Sequence, residues 1–264
     1  MKFLLKDRAL LRITGVDAEK FLQSQFSNNI ENIKSQEVQI NAYCQHQGKI
    51  LGLLWIFVMK DNFYISLPSD LKETIISKLN LFKLMSKVEI EDCSKQIYQF
   101  GIIDEEYDNS FKISQNLSLL TSRKLIDSNT DLNIWEKSCI DTNLPEIFST
   151  TSEKFIPQAL NLDIEEYGVS FTKGCYPGQE VVARMHYLGK PKRRLFKFIS
   201  KFEASVGDSI DVNDSSSLKP SGTVLRVSKI DAKYYLLGTF EIKHINDMIY
   251  LNNDTHKPLV ISNG

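Results

Sequence analysis

FIPQALNLDIEEYGVSFTKGCYPGQEVVARMHYLGKPKRRL, residues 155–195, is the stretch in which strand, turn and helix signals follow one another most closely. Val169 to Phe171 reads as a short strand, and Lys173-Gly174-Cys175 follows it directly. Tyr176-Pro177-Gly178-Gln179 has proline at the second position and glycine at the third, which fits a type II turn. Gln179 to Leu188 then reads as a helix with Val181, Val182, Met185 and Leu188 as its buried stripe, capped by Gly189 and stopped by Pro191. Cys175 is therefore expected at a strand-to-turn corner just ahead of a helix N-terminus, where backbone N–H groups and the helix dipole favour negative charge. Lys173 adds a nearby cation, and both effects favour the thiolate, the reactive form of a cysteine. Gly174 and Gly178 leave room for another molecule to approach. An isolated cysteine is more often a small buried hydrophobe, which is the reading for Cys44, Cys93 and Cys139. The residues alone leave Cys175 balanced between the two roles.

Working outward, Leu10–Ile13 reads as a strand broken by Gly15, and Asp17 as the cap of a helix through Phe21, Leu22 and Phe26. Glu37–Tyr43 and the apolar run Ile50–Met59 read as strands. Asp61-Asn62 is a turn signal that brings Phe63–Leu67 back as a hairpin. Ser69 opens a helix with Leu71, Ile75, Leu79 and Phe82 on one face. Val88–Ile90, Ile97–Ile103 and Leu117–Leu120 follow as strands, and Leu132–Ile140 as a short helix. Strands and helices mix without strict alternation, which predicts an α+β fold with antiparallel sheets. From Leu195 onward only strand-like segments remain: Leu195–Phe202, Thr223–Val227, Tyr234–Ile242 and Leu259–Ile261. Turn clusters separate them, including a serine-rich loop over Asn213–Gly222. A small C-terminal β-barrel is expected over residues 191–264, with residues 1–190 forming the preceding α+β region.

The chain has 264 residues, 42% of them hydrophobic, ample for a sizeable core, and a net charge of −1, which provides no global field to draw in nucleic acid. Its four cysteines are widely spaced and form no C-x-x-C pair. That argues against a zinc or self-contained iron–sulfur site and against a disulfide framework, so no metal is expected and a reducing cytoplasm is the natural setting. The N-terminus has no signal-peptide pattern, and no apolar run is long enough to span a bilayer, so no membrane partner is expected.

K-G-C-Y-P-G-Q-E, residues 173–180, resembles the K-G-C-Y-x-G-Q-E signature of the YgfZ family, itself similar to the folate-binding glycine-cleavage T-protein. Phe155-Ile156-Pro157-Gln158, Asn161-Leu162-Asp163 and Val182-Ala183-Arg184 also resemble family positions. Phe21-Leu22-Gln23 and Gln47-Gly48-Lys49 do so more weakly. The resemblance implies two α+β lobes around a central folate channel plus the C-terminal barrel. It implies tetrahydrofolate binding and a role in assembling or repairing iron–sulfur clusters of client proteins, tRNA-modifying enzymes among them. The motif cysteine maps to Cys175, with transient iron–sulfur contact there. Two departures stand out: Asn29 occupies a position where the family often has aspartate, and the 135–145 stretch lacks an arginine often found before the family's glycine-isoleucine-proline segment. The alternative, a T-protein-type aminomethyltransferase, needs a carboxylate shortly after a glycine in an early strand. Gly48 to Leu54 contains none, and an apolar strand cannot transfer a proton.

A folate site needs an apolar slot with a few polar anchors. Gln158, Asn161, Glu180 and Arg184 are the candidate anchors, and Tyr176 and Trp135 the candidate stacking residues. Glu180 and Arg184 otherwise form an i,i+4 surface pair worth about 0.3–0.5 kcal/mol. Cys44-Gln45-His46 offers too few ligands for a metal and reads as a strand end. His186 reads as exposed helix decoration. Lys190, Lys192, Arg193, Arg194 and Lys197 read first as a solvated strand entry. A folate polyglutamate tail or RNA are the alternative partners, and no aromatic-interleaved motif supports direct nucleic-acid binding.

Overall fold

The computed structural model describes residues 1–213 and 219–262, so the expected serine-rich loop lies partly outside the described residues. By its contacts the chain divides into two units, one of residues 1–130, 147–157 and 162–184, the other of residues 131–146, 158–161 and 185–264.

The first unit contains β1 (Lys2–Leu4), β2 (Arg8–Thr14), α1 (Ala18–Gln25), β3 (Gln39–Cys44), β4 (Ile50–Met59), β5 (Asn62–Pro68), α2 (Lys72–Phe82), β6 (Glu89–Asp92), β7 (Tyr98–Ile103), β8 (Ser110–Lys112) and β9 (Leu117–Ser122). They form two antiparallel sheets, β3-β4-β5-β2-β6 and β1-β7-β9-β8. The apolar run becomes β4, whose first eight residues are all buried because both of its faces are covered. The β4–β5 hairpin turns at Lys60-Asp61, both with positive φ, and Met59 pairs with Asn62. This is the backbone of a two-residue type I′ turn, one residue earlier than the sequence signal suggests. Phe57 of β4 packs on Phe111 of β8 with ring centroids 4.4 Å apart, joining the two sheets. Each fully buried side chain of this kind contributes about 1.5–3 kcal/mol.

The second unit holds α3 (Leu132–Asp141) and six strands: β10 (Arg193–Ser200), β11 (Ser209–Val212), β12 (Gly222–Ile230), β13 (Lys233–Glu241), β14 (Ile249–Leu251) and β15 (Asp254–Ile261). They close into a barrel in the order β10-β13-β12-β11-β14-β15, and pairing of Phe198 with Ile261 completes the ring. Phe198, Ile210, Val224, Leu236, Phe240 and Leu251 fill it. Phe198 and Phe240 meet edge to face at 5.8 Å. Asp131 caps α3 by accepting a hydrogen bond from the N–H of Asn133. Buried Arg226 on β12 donates to the Leu144 carbonyl at 2.7 Å, to Glu136 of α3 at 2.7 Å and to Glu146 at 3.5 Å.

The α+β class, the antiparallel sheets and the C-terminal barrel are as the sequence led us to expect. Val169–Phe171 is not a strand. Ser170 donates its N–H to the Ser27 carbonyl at 2.9 Å, and the Ser27 hydroxyl donates to the Gly168 carbonyl at 2.6 Å. The segment is thus held by an irregular crossing rather than a ladder. The short strands β1, β8, β11 and β14 were not apparent in the sequence. α4 (Gln179–Leu188) forms where expected, but only Val182 of its apolar stripe is buried, and Leu188 is exposed. No helix of the described residues is long and apolar enough to cross a membrane.

Candidate functional site

α1 ends where Phe26 leaves helical geometry, which exposes the last carbonyls of the helix. Lys173 supplies the missing donors. Its ammonium donates to the carbonyls of Gln23, Phe26 and Asn28 at 2.7, 2.5 and 2.8 Å, and it lies 5.5 Å from the ring centroid of Tyr176. Lys173 is therefore buried and turned inward, and the expected cation beside the Cys175 thiol is instead a clamp on the end of α1. Burial pulls its pKa down to about 8, with Glu31 acting in the opposite sense.

The sign of the pH effect follows. Between about pH 8 and 10.5 the folded protein has released a proton that the unfolded chain keeps, so the Lys173 contribution to stability rises with pH across that window. Below pH 8 the buried charge is carried in full. Lys173→Met is expected to lose about 1–3 kcal/mol at neutral pH through its orphaned carbonyls. It should also flatten the rise in melting temperature between pH 8 and 10.5 relative to wild type. Parallel melting curves of the two proteins across that range check both points.

Around this clamp the segment after α1 forms a hub. The Ser27 hydroxyl accepts from the Ala42 N–H at 2.8 Å. The Asn28 amide donates to the Ile40 carbonyl at 3.1 Å, and Asn29 accepts from the Gln23 amide at 2.8 Å. Asn29, which stands where the resembled family often has an aspartate, thus tightens the hub and caps the following turn. Phe26 meets Tyr43 of β3 edge to face at 5.3 Å. Within this cluster the Tyr43 hydroxyl and the Gln25 Oε1 are buried with no hydrogen-bond partner among the described residues. Burial pushes Tyr43 up to about 12 and raises Tyr176 as well. Sequence patterning did not single out Tyr43, because an aromatic on a buried strand reads as core.

Gly178 has φ +82, as a type II turn requires. A Cβ there would lie 2.4 Å from the Gln45 carbonyl oxygen and 2.8 Å from the Cα of Gly48. Gly178 thus serves packing of the motif turn on the Gln45–Gly48 turn, not approach by a ligand. Gly174 has open space around it. Cys175, between them in sequence, is exposed, whereas Cys44, Cys93 and Cys139 are buried. Burial pushes the Cys44 thiol up to about 12 and raises that of Cys93. Glu180 and Arg184 are exposed and make no ion pair with each other among the described residues.

In the second unit, Trp135 is buried in α3. Gln158 is fully buried, and its carbonyl accepts from Arg194 at 2.8 Å; Asn161 accepts from the Leu195 N–H at 3.4 Å. The candidate residues are therefore distributed, with Lys173, Cys175, Tyr176, Glu180 and Arg184 in the first unit and Trp135, Gln158 and Asn161 in the second. Much of the basic run is committed locally: Arg193 pairs with Glu241 at 3.1 Å and Lys197 donates to the Asp141 carbonyl at 2.8 Å. Among the described residues no group of three or more His, Cys, Asp or Glu side chains is placed to hold a metal ion. A cleft of about 660 Å³ in the first unit is lined by Glu37, Asp104, Glu105, Glu106 and Asp108, with Lys112. Its excess of carboxylates suits neither folate nor its acidic tail, and no motif residue lines it.

No family model matches the chain. It is 30% identical over 267 residues to the tRNA-modifying protein YgfZ of Hamiltonella defensa, covering 86% of this chain and 79% of that one. The chain belongs to the YgfZ family. Another YgfZ, that of Buchnera aphidicola from Schizaphis graminum, is 28% identical over 283 residues, or 92% of this chain and 88% of that one. An uncharacterized protein of Haemophilus influenzae is 32% identical over 240 residues, covering 86% and 84%. The fold is similar to that of the glycine cleavage system aminomethyltransferase T from Bartonella henselae. That likeness has a TM-score of 0.67 at 9% identity and covers all of this chain and 84% of the other, so it shows a shared fold and no more. In this chain the motif therefore sits on a turn fixed from two sides, by the Lys173 clamp and by the Gly48–Gly178 contact.

Proposed function

We propose that this protein binds tetrahydrofolate and supports iron–sulfur cluster assembly or repair in client enzymes of the cytoplasm, tRNA-modifying ones among them, through the Cys175 thiol. The observation that carries this reading is the contrast among the four cysteines: three are buried, and the one in the family motif is exposed on a turn whose backbone is clamped. A fixed, accessible thiol suits transient contact with a cluster or a client sulfur, and the pushed-up thiol of Cys44 does not. Membership of the YgfZ family supports the choice of clients, since its members are described as tRNA-modifying.

The buried, unpartnered Tyr43 hydroxyl and Gln25 Oε1 are the polar atoms a folate would meet once the packing that seals them opens. A pterin ring carries its own donors and acceptors on one edge and would satisfy polar atoms that otherwise cost stability. In the first unit Glu180 and Arg184 are the proposed polar contacts and Tyr176 the stacking residue. Gln158, Asn161 and Trp135 belong to the second unit, where Gln158 and Trp135 are buried, so the proposed folate contacts are those of the first unit. Aminomethyl transfer has only the shared fold behind it, and the Gly48–Leu54 stretch that would have to supply a proton-handling carboxylate contains none.

Complementation tests the thiol. In a strain lacking its own family member, Cys175→Ala is expected to leave cluster-dependent enzyme activity at the level of an empty vector, while Cys93→Ala restores it. Full restoration by Cys175→Ala would remove Cys175 from the mechanism.

A further inference from the structure

The end of α2 presents an apolar ridge that the function above does not use. The buried face of α2 is Ile75 and Leu79. Beyond it, Leu81, Phe82, Leu84 and Met85 are 68%, 47%, 83% and 97% exposed, and Val16 is 86% exposed. Val16 lies on the loop that closes on the end of this segment. The Asp17 carboxylate accepts the Lys87 N–H at 2.7 Å, and a Cβ on Gly15 would lie 2.0 Å from the Lys87 carbonyl, so the 15–17 loop is locked against residues 86–88. Residues 74–88 contain no aspartate or glutamate. They do contain Lys78, Lys83 and Lys87, none of which has an ion-pair partner among the described residues.

Exposed apolar side chains interspersed with lysines along 78–87, with Glu73 and Glu89 only at the two ends of the segment, mark a contact surface, and the charge within it says what kind. A protein groove would need an apolar concavity matched to this shape. A bilayer interface needs only protruding apolar side chains and cations free to meet phosphate, and both are present. We propose that the α2 ridge docks on an anionic lipid surface, with Leu84 and Met85 entering the headgroup–acyl boundary and the three lysines meeting lipid phosphates. This inference is independent of the folate reading.

Flotation with vesicles of phosphatidylcholine, with and without phosphatidylglycerol, tests it. The wild-type protein is expected to float with the anionic vesicles and to fall away from them as salt rises. Lys78→Gln, Lys83→Gln and Lys87→Gln together are expected to weaken binding by about fivefold per lysine. Leu84→Ser with Met85→Ser is expected to weaken it at least about tenfold. Both variants should melt close to the wild type, because none of the altered side chains is buried and none makes an ion pair among the described residues. Absence of binding to either vesicle would overturn the proposal and leave the ridge to a protein partner. Equal binding to both vesicles, or binding that rising salt leaves unchanged, would overturn it equally, and the wild type alone gives that reading.

Discussion

Arg226→Met is expected to destabilise the barrel-containing unit by about 3–5 kcal/mol, the range for breaking a buried ion pair from one side. The guanidinium of Arg226 is 3% exposed, and the Glu146 side chain facing it is 1% exposed. Its three contacts join β12 to the Leu144 carbonyl, to Glu136 of α3 and to Glu146. Burial disfavours the charge on Arg226, but Glu136, then Cys139 and Glu146, outweigh it and raise its pKa. A methionine of similar length keeps much of the packing and removes all the donors. Glu146 is then left as a buried carboxylate without its cation, which dominates the cost. Urea unfolding followed through the barrel would measure it. Adding Glu146→Gln to Arg226→Met should recover part of the loss, because it removes the stranded charge. A loss under about 1 kcal/mol would mean that apolar packing and the Asn133 hydrogen bonds to Ser228 and Lys229, not Arg226, hold α3 to the barrel.

Gly178→Val is expected to cost about 3 kcal/mol or more, from two sources. A non-glycine residue at φ +82 is strained, worth about 1–3 kcal/mol. The new Cβ would also collide with backbone: the Gln45 carbonyl oxygen at 2.4 Å and the Gly48 nitrogen at 2.9 Å, neither of which can rotate away as a side-chain tip can. The strain is released by moving the motif turn off the Gln45–Gly48 turn, so client support should fail together with stability. Gly174→Ala is the contrast. Nothing lies within 4 Å of a Cβ there, and its melting temperature should stay near that of wild type. Thermal melting of the pair, with complementation, checks the expectation.

The elements that were legible in the sequence are those whose side chains report their own burial. The β4 run is apolar at every position from Ile50 to Val58 except Gly52, and the barrel strands alternate between turn clusters. Short strands such as β8 and β14, of three residues each, carry too few side chains to show a period. Val169–Phe171 looked like a strand because it is apolar at both ends, but its hydrogen bonds run to Ser27, far away in the chain, which no local pattern records. The motif itself was plain, and its surroundings were not. Lys173 stands two residues from Cys175, yet its ammonium reaches carbonyls 145 to 150 residues away in sequence. Adjacency along the chain does not say which way a side chain points. Gly178 looked like space for a ligand because the Gln45–Gly48 turn that fills that space comes from another part of the sequence.

Calorimetric titration with tetrahydrofolate, on the wild-type protein and on Cys175→Ala, separates the cofactor from the sulfur. If the exposed thiol works alongside a bound pterin rather than holding it, both proteins should give the same saturable heat. A wild-type protein that shows no saturable uptake would contradict the account, whatever the variant does.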